Sequence, residues 1–158
     1  MVYSILFVCS ILTVTLYLIL TAREDAGCFE VTRIKHLMGL IPALCILLLN
    51  LKKLSMFDLG MTVLFVLLCL IIGVLGIYGM ADGFVFANLT VLFGGIGGSA
   101  GVSMVILIMI LACFSGLTEM MLRKMITWAD LKRNSHIAFV PHILTGYVSV
   151  MIALMIWI

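Results

Sequence analysis

Phe57–Leu117 reads FDLGMTVLFVLLCLIIGVLGIYGMADGFVFANLTVLFGGIGGSAGVSMVILIMILACFSGL, interrupted by two charged side chains, Asp58 and Asp82. It divides into three apolar runs: Phe57 to Tyr78, Gly83 to Ile96, and Ala100 to Leu117. A helix crosses a bilayer in about 20 residues at about 1.5 Å per residue. The middle run is short for a span and is expected to tilt. Helices are expected because a backbone in lipid must satisfy its own hydrogen bonds, and the alternation of barrel strands is absent. The Gly-rich stretch Gly94-Gly95-Ile96-Gly97-Gly98-Ser99-Ala100-Gly101 reads as a tight turn between two spans, or as a close-packed helix crossing.

Outward from this stretch the pattern repeats. Met1 to Thr21, Ile34 to Leu51 and Ala138 to Ile158 are further apolar runs, which makes six spans. Composition agrees: 65% of the 158 residues are hydrophobic and 10% are charged, with a mean hydropathy of +1.38. Sixteen charged side chains cannot form the polar shell of a soluble domain of this size, where about 25% charge is usual. A soluble enzyme, a disordered chain and a nucleic-acid binder are excluded. The expected fold is a single all-α membrane domain over residues 1–158, a six-helix bundle without a soluble domain. Met1 to Thr21 lacks the preceding positive charge and the following small-residue cleavage site of a signal peptide, and reads as a retained span.

The charges orient the bundle. Arg23, Arg33 and Lys35 lie in the first connection, and Arg123, Lys124, Lys132 and Arg133 in the fifth. The second connection holds Lys52 and Lys53. Odd-numbered connections share one side, so seven basic residues face two. The positive-inside rule makes the seven cytoplasmic and both termini extracytoplasmic, in a cell membrane. Thr118 to Ser135 alternates apolar and basic residues at three- and four-residue steps. It is expected to form a cytoplasmic amphipathic helix before the last span.

Acids at membrane depth are costly and draw functional readings. Asp58 opens the third span and reads as a helix cap. Glu119 and Asp130 sit among basic residues and read as solvated. Asp82 is different: no basic residue is near it in Gly76-Ile77-Tyr78-Gly79-Met80-Ala81-Asp82-Gly83-Phe84-Val85-Phe86-Ala87. Asp25 closes the first span on the same side. Two close carboxyl groups share a proton and titrate as a unit. One can then act as general base on a water while the other polarises a peptide carbonyl. Glycines around Asp82, Gly79 and Gly83 among them, allow a substrate backbone to come close. The plainer reading makes both acids caps or ion-pair partners of Arg23 or Lys35.

Cys9, Cys45, Cys69 and Cys113 lie inside spans and Cys28 in a connection, with no zinc spacing and no disulfide framework. His36, His136 and His142 are dispersed near the cytoplasmic ends of spans and read as interfacial. His142, after Pro141, is a candidate supporting residue.

The chain resembles the short prepilin peptidases of the type IV pilin and archaellin leader peptidase class, intramembrane aspartic proteases of the GxGD type. Gly79-Met80-Ala81-Asp82 stands where the family's Gly-x-Gly-Asp motif opens a span. Asp25 is followed six residues later by Val31-Thr32-Arg33, in place of the family's Ile-Pro-Asn element. Ile137-Ala138-Phe139-Val140-Pro141 is similar to the family's Pro-Phe-x-Pro entry to the last span. Three positions depart: Ala81 replaces a Gly, Gly83-Phe84 replaces Val-Lys, and Thr32-Arg33 replaces Pro-Asn. The resemblance implies an endopeptidase that removes a short basic leader from prepilin-like proteins, whose apolar helix is presented from the bilayer. It would serve a type IV pilus or a related secretion assembly. Asp25 and Asp82 are the implied catalytic pair at the cytoplasmic face, and Gly79 and Gly83 would admit the substrate. No metal or organic cofactor is implied. N-methylation is not expected, because the Cys pairs of larger bacterial members are missing. A non-catalytic channel, transporter subunit or assembly scaffold is the alternative.

Overall fold

The computed structural model describes residues 2–28, 31–77, 79–126 and 138–157. Its elements are helical: α1 (Val2–Cys28), α2 (Arg33–Asn50), a 3-10 turn (Leu51–Lys53), α3 (Met56–Val74), α4 (Met80–Ile126) and α5 (Val140–Trp157). Four helical stretches are long and apolar enough to cross a membrane: Ile5–Cys28, Ile34–Lys53, Met56–Val74 and Met80–Arg123. Val140–Ile156 is apolar but shorter. Large apolar side chains such as Leu64, Leu67, Phe114 and Ile152 face outward. Such a surface belongs in a membrane rather than in water.

α4 holds two of the expected runs in one element, with non-helical backbone at Gly98. The chain folds back there, as the neighbours of α5 show. Phe139 lies beside Phe86 in the first half of α4, and Tyr147 beside Phe93. In the second half the order reverses: Gly116 faces Phe139, and Ile108 faces Gly146. The two halves are therefore antiparallel. Both readings of the Gly-rich stretch hold at once. Gly98 makes the turn, while Thr62 of α3 and Leu47 of α2 press on Gly94 and Gly95 where helices cross.

The first half of α4 is the central helix, and residues 85–95 are buried throughout. α2, α3 and α5 pack around it, and α1 closes the bundle against α2 and α5. In lipid the tails are as apolar as the side chains, so close backbone approach and polar contacts hold helices together. Both occur here. Gly83 and Gly73 let α3 and α4 meet backbone to backbone, and Thr15 Oγ1 and Tyr147 Oη lie 3.0 Å apart between α1 and α5.

Three expected boundaries shift. α1 runs past Thr21 to Cys28, so Arg23 and Cys28 lie on its last turns with Asp25 rather than in a connection. α4 starts at Met80, ahead of Gly83, because Gly79 accepts its first helical bond, from Gly83 N–H. Thr118 to Ile126, expected to open a separate amphipathic helix, continues α4. The rest of that stretch, with Asp130, Lys132, Arg133 and His136, lies outside the described residues, as does Glu30.

Candidate functional site

Two carboxylates from separate helices, Asp25 of α1 and Asp82 of α4, line one cavity of about 740 Å³. Asp25 belongs to the buried face of α1 that also carries Tyr17 and Thr21, at the four-residue steps that stack side chains on a helix. Asp82 sits in the first turn of α4. Both are buried, and Asp25 lies near enough for its charge to act on Asp82. Val31, Leu37, Leu40, Met80 and Phe84 supply apolar wall, and His36 and Asn88 supply polar wall.

Each acid is held at the start of a helix. Asp82 Oδ2 accepts the Gly79 N–H at 3.1 Å. Asp25 Oδ2 accepts the Val140 N–H at 3.0 Å, and the Phe139 amide also turns toward this carboxyl. Free N–H groups and the helix dipole make these ends favourable places for negative charge.

Basic side chains are kept elsewhere. Lys35 Nζ is 2.8 Å from Glu24 Oε2, and Thr32 donates to Glu24 through its N–H (3.2 Å) and its hydroxyl (2.5 Å). Glu24 thus takes the cation that the ion-pair reading offered to Asp25 or Asp82. No Lys or Arg among the described residues lines the cavity.

Behind Asp25, α5 and the second half of α4 form a further polar group. Ser115 Oγ and His142 Nδ1 lie 2.9 Å apart. Glu119 Oε2 is 3.0 Å from His142 Nε2, at ion-pair distance but off the hydrogen-bonding direction, so that buried nitrogen has no hydrogen-bond partner. His142 is close enough to act electrostatically on Asp25. Glu119, read as solvated, is partly buried and also pairs with Arg123.

The two glycines part company. Gly79 lines the cavity and donates to Asp82. Gly83 is not on the cavity; it packs against the Cys69 carbonyl and Gly73 of α3. Its small size serves the helix crossing that positions Asp82.

Two polar cavity groups, His36 and Asn88, and Tyr17 behind them escaped the sequence reading. His36, read as interfacial, is buried, stacks on Phe84 with ring centroids 5.0 Å apart, and meets Tyr17 Oη at 2.8 Å through Nδ1. Asn88 joins them by donating to the His36 carbonyl at 3.0 Å. The available signal was Asn88 itself, since an amide in the middle of an apolar run must turn inward to find partners. No protein-family model, curated protein or solved structure matches the chain.

Proposed function

We propose that the chain is a membrane-embedded aspartic endopeptidase that removes the leader of prepilin-like proteins at the cytoplasmic membrane face. The observation that carries the reading is the shared cavity: Asp25 and Asp82, 57 positions apart in the sequence, line one space with no Lys or Arg among its described lining residues. Two acids so placed hold one proton between them. The ionised carboxyl takes a proton from water, and the oxygen of that water bonds to the scissile carbonyl carbon. The protonated carboxyl gives its proton to the carbonyl oxygen. The tetrahedral gem-diol then collapses: the leaving amine takes a proton from the acid that received one from water, the C–N bond breaks, and a hydroxyl of the gem-diol returns its proton to the other carboxylate, which restores the starting pair. The resemblance at Gly79-Met80-Ala81-Asp82, after Asp25, names the substrate class.

In this reading the chain crosses the membrane six times. An unbroken 47-residue α4 would extend about 70 Å, over twice the roughly 30 Å hydrocarbon core, and folding back at Gly98 gives two passes. The excess of Lys and Arg on odd connections sets the cavity on the cytoplasmic side and the termini outside. A non-catalytic channel, transporter subunit or scaffold, with both acids serving only as helix caps, draws on the same Gly79 and Val140 hydrogen bonds.

One experiment separates them. A co-expressed prepilin-like substrate with a basic leader is followed for cleavage by wild type, Asp25→Asn and Asp82→Asn. Wild type is expected to process it, and each variant to lose at least about a hundredfold in rate while remaining folded in the membrane. Full processing by either variant removes the paired-acid mechanism.

A further inference from the structure

The peptidase reading employs Asp25 and Asp82, but a second polar group shares their cavity, and its hydrogen bonds fix where its protons sit. Asn88 Nδ2 lies 3.0 Å from the His36 carbonyl oxygen and 3.3 Å from Tyr17 Oη. A carbonyl oxygen only accepts, so the Asn88 atom facing it is the amide nitrogen. The second hydrogen of that nitrogen is left for Tyr17 Oη. Tyr17, accepting there, places its own hydrogen on His36 Nδ1 at 2.8 Å. Nδ1 is then an acceptor, and a neutral imidazole with an acceptor Nδ1 carries its hydrogen on Nε2. An imidazolium would put a second hydrogen between Nδ1 and Tyr17 and leave the tyrosine hydrogen without its acceptor.

By elimination, Nε2 is the His36 ring nitrogen left to face the cavity. His36 lines that space with Nδ1 turned away to Tyr17. Nε2 has no hydrogen-bond partner among the described residues, yet the one enclosed side-chain polar atom without a partner is His142 Nε2. The stack on Phe84 and the bond to Tyr17 hold the ring against rotation. The result is a neutral, preoriented N–H donor in the same space as two carboxyl groups.

We propose that His36 Nε2–H is the cavity's donor to substrate and takes a backbone carbonyl oxygen of the bound leader segment. The identity of that acceptor rests on the peptidase reading. A neutral donor suits this place, because it orients a carbonyl without drawing the acids into an ion pair. His36 is thus a substrate-contacting residue. Tyr17 and Asn88 are positioning residues that act through it.

The test uses full-length protein in detergent with 15N-labelled histidine, the His36 signals being assigned by their loss in His36→Gln. Nitrogen NMR is expected to show Nε2 protonated and Nδ1 bare in wild type, and a mixture of tautomers in Tyr17→Phe. A synthetic peptide spanning a leader and the start of its apolar helix is expected to shift the Nε2 signal. A hydrogen on Nδ1 in wild type, or an Nε2 signal unmoved by saturating peptide, overturns the proposal. In cleavage assays His36→Phe keeps a ring without a donor and is expected to lose about tenfold to a hundredfold in kcat/KM. His36→Gln presents an amide N–H near the place of Nε2–H and is expected to recover most of that loss; equal loss in both variants overturns the donor role. A wild type that cleaves no leader substrate sinks the peptidase reading alone, because the peptide-induced shift decides the donor role independently.

Discussion

Asp58 and Asp82 occupy the same position, the third residue of an apolar helix, yet only one faces a cavity. The difference lies three residues earlier. Ser55 precedes α3 and forms a reciprocal cap: its hydroxyl accepts the Asp58 N–H at 3.1 Å and donates to Asp58 Oδ2 at 2.7 Å. Asp58 Oδ1 is also taken, by the Ser99 N–H at 2.8 Å. Gly79 precedes α4 and has no side chain to offer, so Asp82 receives the Gly79 N–H alone among the described residues. Gly79→Ser would copy the Ser55 arrangement, since the position has no positive φ to forbid a side chain and its Cβ would meet only the Asp82 carboxyl, which must give by a few tenths of an ångström. It is expected to hold or raise thermal stability by a few tenths of a kcal/mol while cutting leader cleavage about tenfold, as the new hydroxyl occupies Asp82. Thermal unfolding in detergent and a cleavage assay check the two halves. The cap role of Asp58 was legible in the sequence because an acid that opens an apolar run meets free backbone N–H groups there. Its bond to Ser99 was not, because that joins residues 41 positions apart.

At the scale of the element, α4 depends on one residue. Gly98 has φ 58° and ψ −132°, a backbone region that side-chain-bearing residues avoid, and a Cβ there would collide with the Asp58 carboxyl. Gly98→Ala is therefore expected to destabilise the protein by about 1–3 kcal/mol. Gly97→Ala, next to it, meets open space at ordinary φ and is expected to be neutral or to stabilise by up to about 1 kcal/mol. Paired melting curves in detergent test the contrast, and equal shifts would remove the turn assignment. The run of glycines from Gly94 to Gly101 announced a turn or a crossing. It did not say which glycine turns, because Asp58 and Thr62 that select among them come from another helix.

For the whole molecule, contacts sort the connections into two ends. Asp25 meets Val140, and Asp25 and Gly79 share a cavity, so the last turns of α1 and the starts of α4 and α5 gather at one end. Asp58 and Ser99 join the α2–α3 connection to the α4 turn at the other. The six-crossing reading puts these ends on opposite membrane faces. In a protein with its native cysteines replaced, a cysteine at Ser55 is expected to react with an impermeant maleimide from outside intact cells. One at Ile77 is expected to react only after lysis, and labelling of both from one side would overturn the topology. Composition and hydropathy by themselves determined a helical membrane protein and its apolar segments, because lipid leaves the backbone no other way to satisfy its hydrogen bonds. Scarcity of charge also singled out Asp25 and Asp82. Only the tertiary structure decided that these two share a cavity, that Glu24 takes Lys35, that Gly83 serves a helix crossing, and that His36 and Asn88 form a polar wall with Tyr17 behind it. Each helix residue turns about 100° from the last. Which side chains meet therefore depends on how every helix is rotated against its neighbours, and packing across the whole bundle sets that rotation.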